Sequence, residues 1–239
     1  MPIQQTLTVT PGLKLNDGLS KTDLRGFEDS LPGPLPSEIE SLLRYASGFE
    51  SKSIGSVDFT GRSNRFEFKE VVPHGVPIAQ INGSYWVQDI NEDGGWGGVF
   101  FFSHDPPIAT LQFDSLDSFV KAAVQDGNVG EEANRLSLAT WQDVNSGVSI
   151  DDAMGSGDDK LMNFVRSLPH GNFRIFDLRA ATGSKGFAWG RGGPDLECRR
   201  ASLELIFAVA VKEQRKSLIS RIYSALNPSW EEKVEVICS

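Results

Sequence analysis

The chain has 239 residues, 39% of them hydrophobic and 23% charged, with a formal net charge of -9. Such a length allows a substantial core in one large or two small domains, and the acidic excess argues against nucleic acid as a partner, because a phosphate backbone repels it. No apolar run approaches the roughly 20 residues that span a bilayer, residues 1–14 lack the basic start and apolar stretch of a signal peptide, and Cys198 and Cys238 are too few for a disulfide framework. The expectation is a cytoplasmic protein with no membrane partner.

Residues 1–21 show no strong periodicity and read as an extended lead-in or a first edge strand. Leu31-Pro32-Gly33-Pro34-Leu35-Pro36 is a rigid, non-helical approach, since each proline fixes its own φ and restrains the residue before it. A helix follows. Ser37 reads as its N-cap, Glu38 and Glu40 offset the dipole in its first turn, Ile39, Leu42, Leu43 and Ala46 make its buried face, and Gly48 reads as its end. Val57-Asp58-Phe59 and Phe66-Glu67-Phe68 alternate apolar and charged residues on either side of a Gly61-Asn64 turn, as strands do.

Pro77–Ile81 and Tyr85–Ile90 are β-prone runs joined by Asn82-Gly83, a dipeptide that tolerates the positive φ of a tight hairpin turn. Asn91-Glu92-Asp93-Gly94-Gly95 makes a second turn, and Gly98-Val99-Phe100-Phe101-Phe102 suits a strand covered on both faces. Asp114 or Ser115 then caps a helix whose Leu116, Phe119, Val120 and Ala123 share one face. The antiparallel sheet counts about five strands.

Beyond residue 125 the pattern changes. Residues 126–157 are rich in Gly, Asn, Asp and Ser, with one apolar-periodic patch at Ala133–Trp141, and read as a linker with a short helix. Asp158-Asp159 caps a helix with Leu161, Met162, Phe164, Val165 and Leu168 inward, and Phe173–Leu178 alternates as a strand. Gly183-Ser184-Lys185-Gly186 is a turn before a short strand at Phe187–Trp189, and Gly190–Pro194 is a loop. Residues 197–211 fit either period, and their β-branched tail favours a strand; residues 215–226 have a helical apolar face at Leu218, Ile219, Ile222 and Leu226. This gives three stretches, 1–125, 126–157 and a C-terminal α+β unit over 158–239, the last either packed on the first or extending its sheet.

The first stretch resembles the SUKH superfamily, the SMI1/KNR4 proteins. The residues that carry the resemblance are Leu35-Pro36-Ser37-Glu38-Ile39, Phe66-Glu67-Phe68, Ile78-Ala79, Trp86-Val87-Gln88-Asp89, Val99-Phe100-Phe101 and His104-Asp105-Pro106-Pro107. The pattern departs from the family at Gln80–Ser84, where an Asp-Gly ahead of a Gly-Asn turn is expected. The resemblance implies an α+β binding module without catalytic residues, of the kind found in bacterial immunity proteins against polymorphic toxins and in eukaryotic cell-wall signalling proteins.

Charge separates the halves. Residues 1–125 hold 9 Lys+Arg against 16 Asp+Glu, whereas residues 126–239 hold 14 against 16. An acidic front half favours a basic protein partner, because complementary charge speeds encounter and excludes wrong partners; keeping a protein in solution is the alternative use of the same charge. Catalysis is the poorer reading. Ser103-His104-Asp105 are sequence neighbours, whereas a triad is assembled from separate elements. His74, His104 and His170 are too scattered for a metal signature, and Gly183-Ser184-Lys185-Gly186 lacks phosphate-loop spacing. No cofactor and no metal are expected. Asp89, Glu92, Asp93, Trp96 and Asp105 combine acids with an aromatic anchor and are the expected contacts for a basic toxin domain. A regulatory scaffold binding several proteins is the alternative, and a hydrolase using His104 is the third.

Overall fold

The computed structural model describes residues 3–62, 71–125, 127–142, 147–179, 185–188, 198–202 and 204–211. The chain opens with helix α1 (Ile3–Val9), strand β1 (Lys14–Asp17) and helix α2 (Lys21–Glu28). The expected edge strand is therefore present, but it lies between two helices. Helix α1 is too short to be stable alone and is held by burying Thr6 and Leu7. Helix α2 has the ordinary start, Ser20 Oγ accepting from the Asp23 N–H at 3.1 Å, and buries Leu24 and Phe27.

Helix α3 (Ser37–Tyr45) buries Ile39, Leu42 and Leu43 as expected, but its cap is Pro36, and Ser37 is already helical. It runs straight into strand β2 (Ala46–Ser51), so Gly48 does not end a helix. It lies within the strand, where an added Cβ would stand 2.0 Å from the Val57 carbonyl oxygen. Close approach of strand β3 (Gly55–Asp58) requires the glycine. The expected strand at residues 66–68 lies outside the described residues.

The hairpin over strands β4 (Val76–Ile81) and β5 (Ser84–Ile90) has Asn82 and Gly83 at φ 49° and 81°, the primed turn that the dipeptide predicts. Asn91 N–H donates to the Gly95 carbonyl at 2.8 Å to close the next turn, with Gly94 at φ 84°. Strands β6 (Trp96–Phe102) and β7 (Ile108–Phe113) follow, paired at Phe100↔Leu111 and Phe101↔Thr110. Strand β7 is an addition to the sequence reading. Helix α4 (Leu116–Val124) is capped by Ser115, whose Oγ accepts from the Ser118 N–H at 3.2 Å, and buries the four residues expected of it.

In the second half, helix α5 (Val129–Gln142) packs on β7, and helices α6 (Ile150–Met154) and α7 (Asp159–Ser167) precede strand β8 (Phe173–Asp177). Strand β9 (Lys185–Ala188) pairs with β7, and β10 (Cys198–Arg200) pairs antiparallel with β11 (Ile206–Ala210). The loop at 190–194 and the helix at 215–226 lie outside the described residues.

Among the described residues the strands make two antiparallel sheets, one of eight strands in the order β1-β2-β3-β4-β5-β6-β7-β9 and one of three in the order β10-β11-β8. The fold is α+β, with a larger sheet than the five strands expected. The two arrangements left open by the sequence occur side by side: β9 extends the first sheet, and the three-stranded sheet packs upon it. Side-chain alternation sorts the core accordingly. Phe101 and Trp86 face helices α1, α3 and α4, with Leu42, Phe119 and Val120. Phe100 and Phe102 face the small sheet, with Phe176, Cys198 and Phe207. Phe173, Ile175, Ile206 and Ala208 line the far side of the small sheet, under Leu161, Phe164 and Val165 of α7. The order of layers is helices, large sheet, small sheet, helices.

Candidate partner-binding surface

Strand β5 positions the first candidate. Trp86 and Ile90 turn toward the helices, so Val87 and Asp89 face the small sheet. Asp89 is only 1% exposed, and its two oxygens accept from Nη1 and Nη2 of Arg200, each at 2.7 Å. Arg200 itself lies over the Phe207 ring, 5.4 Å from its centroid, and donates from Nε to the Glu204 carbonyl at 3.0 Å. The expectation that Asp89 faces a partner is corrected: its partner is inside the protein, because strand alternation aims it at the layer that the C-terminal half supplies.

Glu92 and Asp93 are exposed in the turn between β5 and β6. Glu92 Oε2 accepts from Ser202 Oγ at 2.9 Å, and Asp93 Oδ1 accepts from the Gly95 N–H at 3.0 Å. The proline-rich loop docks behind them. An added Cβ on Gly33 would stand 2.7 Å from the Asp93 carbonyl oxygen, so the two backbones meet with no room for a side chain. Trp96 is half-buried and packs against the helix-side core, and its indole therefore does not stand free as an anchor. Asp105 is exposed, but it lies beyond the far end of β6, a seven-residue strand spanning about 20 Å. The five expected contacts do not form one patch.

The end of the large sheet that carries Glu92 and Asp93 gathers other acids. Strand β7 finishes there, since Val99 pairs with Phe113, and exposed Asp114 follows it, with Asp117 in the first turn of α4. Glu38 is exposed in the first turn of α3, five residues after Gly33 and so within about 18 Å of it along the chain. The sequence signal for this grouping was available only in part: each acid is visible at a turn or a helix start, but which end of the sheet it joins is fixed by strand direction.

Between α1, α3 and α4 lies an open cleft of about 600 Å³. Ile3, Ile39 and Leu42 give it apolar walls, and Glu38, Ser41 and Asp117 its polar ones. Gln4 Nε2 donates to the Ser41 carbonyl at 2.6 Å and to Ser41 Oγ at 3.0 Å, which ties α1 to α3. Asp117 Oδ2 is engaged by Lys121 Nζ, while its Oδ1 is shielded from solvent with no hydrogen-bond partner among the described residues. Sequence reasoning missed the cleft because α1 gives no periodic signal.

Elsewhere the charges serve the fold. Arg179 Nη2 donates to Asp177 Oδ2 at 2.7 Å and to Asp158 Oδ2 at 2.9 Å, tying the end of β8 to the start of α7. The Arg179 hydrogen bonds hold the Asp177 carboxyl below its ordinary value. Asp158 is lowered first by the Leu161 N–H that it caps and then by Arg179, whose own value rises. Ser103 is buried whereas His104 and Asp105 are exposed, so these three side chains are divided between interior and surface. Among the described residues no group of three or more His, Cys, Asp or Glu is placed to hold a metal ion, and no helix is long and apolar enough to cross a membrane.

No family model, no curated protein and no solved structure matches this chain.

Proposed function

We propose that this protein is a binding module of the SUKH type whose partner is a basic protein, a cognate bacterial toxin domain that it neutralises by direct contact. The observation that carries the reading is the acidic end of the large sheet, where Glu92 and Asp93 are exposed in the β5–β6 turn and Asp114 is exposed after β7, which finishes at the same end. Exposed carboxylates on rigid turns and helix starts attract a basic surface over about a Debye length and orient it before contact. The resemblance of the first 125 residues to immunity proteins supplies the class of partner. Neutralisation by this route is occlusion of the toxin's active site.

The test is capture of partners from a lysate of the source organism on the immobilised chain, with elution in rising salt. A single basic protein, retained to high salt and relieved of its toxicity by co-expression, supports the reading. Several housekeeping proteins, all released at low salt, replace it with the scaffold reading, because an immunity protein must hold one partner with a slow off-rate.

A further inference from the structure

We propose that Gln88 is a positioning residue for the β5–β6 turn: its side-chain amide clamps a bulge in the β5–β6 pairing and so sets where the acids of that turn point. The proposal rests on the binding reading above only in taking the turn as a contact. Pairing between the two strands runs regularly to Gln88↔Val99 and resumes at Ile90↔Trp96. Asp89 alone therefore stands opposite two residues, Gly97 and Gly98, and the extra residue on β6 is a β-bulge.

The bulge decides which layer each neighbour joins. Trp96 and Val99 are three residues apart, a step that puts side chains on opposite faces of a regular strand, yet both pack in the helix-side core. Gly97 and Gly98 share the other face: an added Cβ would stand 3.3 Å from Asp89 Oδ2 at the first and 2.6 Å from Leu111 Cδ1 at the second. The turn is thus gripped from two layers, Asp89 holding Arg200 on the small-sheet side and Trp96 packing under the helices.

A bulge breaks the ladder and leaves backbone carbonyls to be satisfied. Gln88 meets that need. Fully buried, it donates from Nε2 to the Asp89 carbonyl at 2.9 Å and to the Gly97 carbonyl at 2.8 Å, with a longer approach to the Gly98 carbonyl at 3.3 Å. Only the amide nitrogen suits this place, because an oxygen turned there would face three carbonyl oxygens. The bonds reach both strands across the break, one residue pair before the chain enters the turn. Bulges also increase the local twist, so a bulge held in one geometry gives the turn beyond it one direction. Holding Glu92 and Asp93 in that direction before contact lowers the ordering cost of binding.

The experiment is amide hydrogen exchange by NMR on the full chain, parent against Gln88→Met. Methionine keeps the volume and removes the donors, so the three carbonyls gain by opening to water. The Asn91 N–H, which closes the turn on the Gly95 carbonyl, is expected to exchange at least about tenfold faster, and the shielded Trp96 indole N–H likewise, while the amides of Trp86 and Phe101 keep their protection. No change at Asn91, or an equal loss at Phe101, overturns the assignment: the first makes the turn independent of Gln88, the second makes Gln88 a support of the whole sheet. If Gln88→Met does not fold, Gly97→Ala is the second probe, because its methyl crowds Asp89 Oδ2 and disturbs the bulge with Gln88 in place. The same amides are expected to quicken, and unchanged rates there overturn the assignment too. Against the basic protein that lysate capture retains, Gln88→Met, with both acids intact, is expected to dissociate about tenfold faster, and an unchanged rate overturns the positioning role. Failure of the binding reading looks different: capture then retains no basic protein, while exchange in the free protein still decides whether Gln88 holds the turn.

Discussion

Arg200 and Asp89, 111 residues apart, form a two-pronged ion pair with both N···O distances at 2.7 Å, buried between the two sheets. Their side chains are 8% and 2% exposed. The pair is one point at which the C-terminal half is fastened to the first sheet, in its interior, because β5 has neighbours on both sides and Arg200 ends β10.

Removing one member leaves the other charge buried without its counterpart. Asp89→Ala is expected to cost about 3–5 kcal/mol, measured by urea denaturation. Replacing both with apolar residues, Asp89→Leu with Arg200→Met, is expected to recover most of that loss, since neither charge then needs a partner. A double variant as unstable as the single one would mean that packing, rather than the stranded charge, sets the cost.

Charge reversal at the β5–β6 turn tests attraction, with a thermal melt of the variant as control because Glu92 and Asp93 also bond Ser202 and the Gly95 N–H. Glu92→Lys with Asp93→Lys is expected to slow association with the captured partner about tenfold at low salt and to flatten its dependence on salt. Stopped-flow rates over a salt series measure both. Association unchanged in rate and in salt slope would remove this turn from the contact.

Acid should loosen the junction of β8 and α7. The folded state holds the Asp177 carboxyl below its ordinary value through Arg179, so the unfolded chain binds more protons in that range. The stabilisation is complete above the unfolded carboxylate value of about 3.9 and is lost as pH falls through the lowered folded value. Thermal melts between pH 6 and pH 2 are expected to fall more steeply in the parent protein than in Asp177→Asn. Parallel curves would show that this ion pair carries no pH-linked stability.

Two glycines make opposite predictions for the same substitution. Gly33→Ala forces a methyl to within 2.7 Å of the Asp93 carbonyl oxygen, so the proline-rich loop must shift, at about 1–3 kcal/mol. Gly26, inside α2, has open space where its Cβ would be, and Gly26→Ala is expected to stabilise by about 0.5–1 kcal/mol. Denaturation midpoints of the two variants against the parent check both signs.

The elements legible in the sequence are those with local chemistry. The Asn82-Gly83 turn and the apolar face of α4 each depend on residues close together in the chain and are found as read, and of the two caps offered, Asp114 or Ser115, the structure has Ser115. Strand β7 went unread because Ile108–Phe113 follows two prolines and lacks a tight turn before it; its strand character comes from pairing on both sides, with β6 and β9. Ser37 and Gly48 were misread for a related reason: a serine before a helix and a glycine after one are the usual punctuation, but here Pro36 and a strand crossing set their places. The candidate site was legible as chemistry and not as geography. Glu92 and Asp93 are exposed as their turn demands, whereas the burial of Asp89 depends on a strand more than a hundred residues downstream.

The run Phe100-Phe101-Phe102 has one more implication. With Phe101 under the helices and its two neighbours under the small sheet, the centre of the large sheet offers a visitor neither of its broad surfaces. Under the proposed binding function, contact is left to rims, where turns and helix starts can change sequence without disturbing the layers beneath. A scaffold built in this way can switch partners by editing its rim while its interior stays constant.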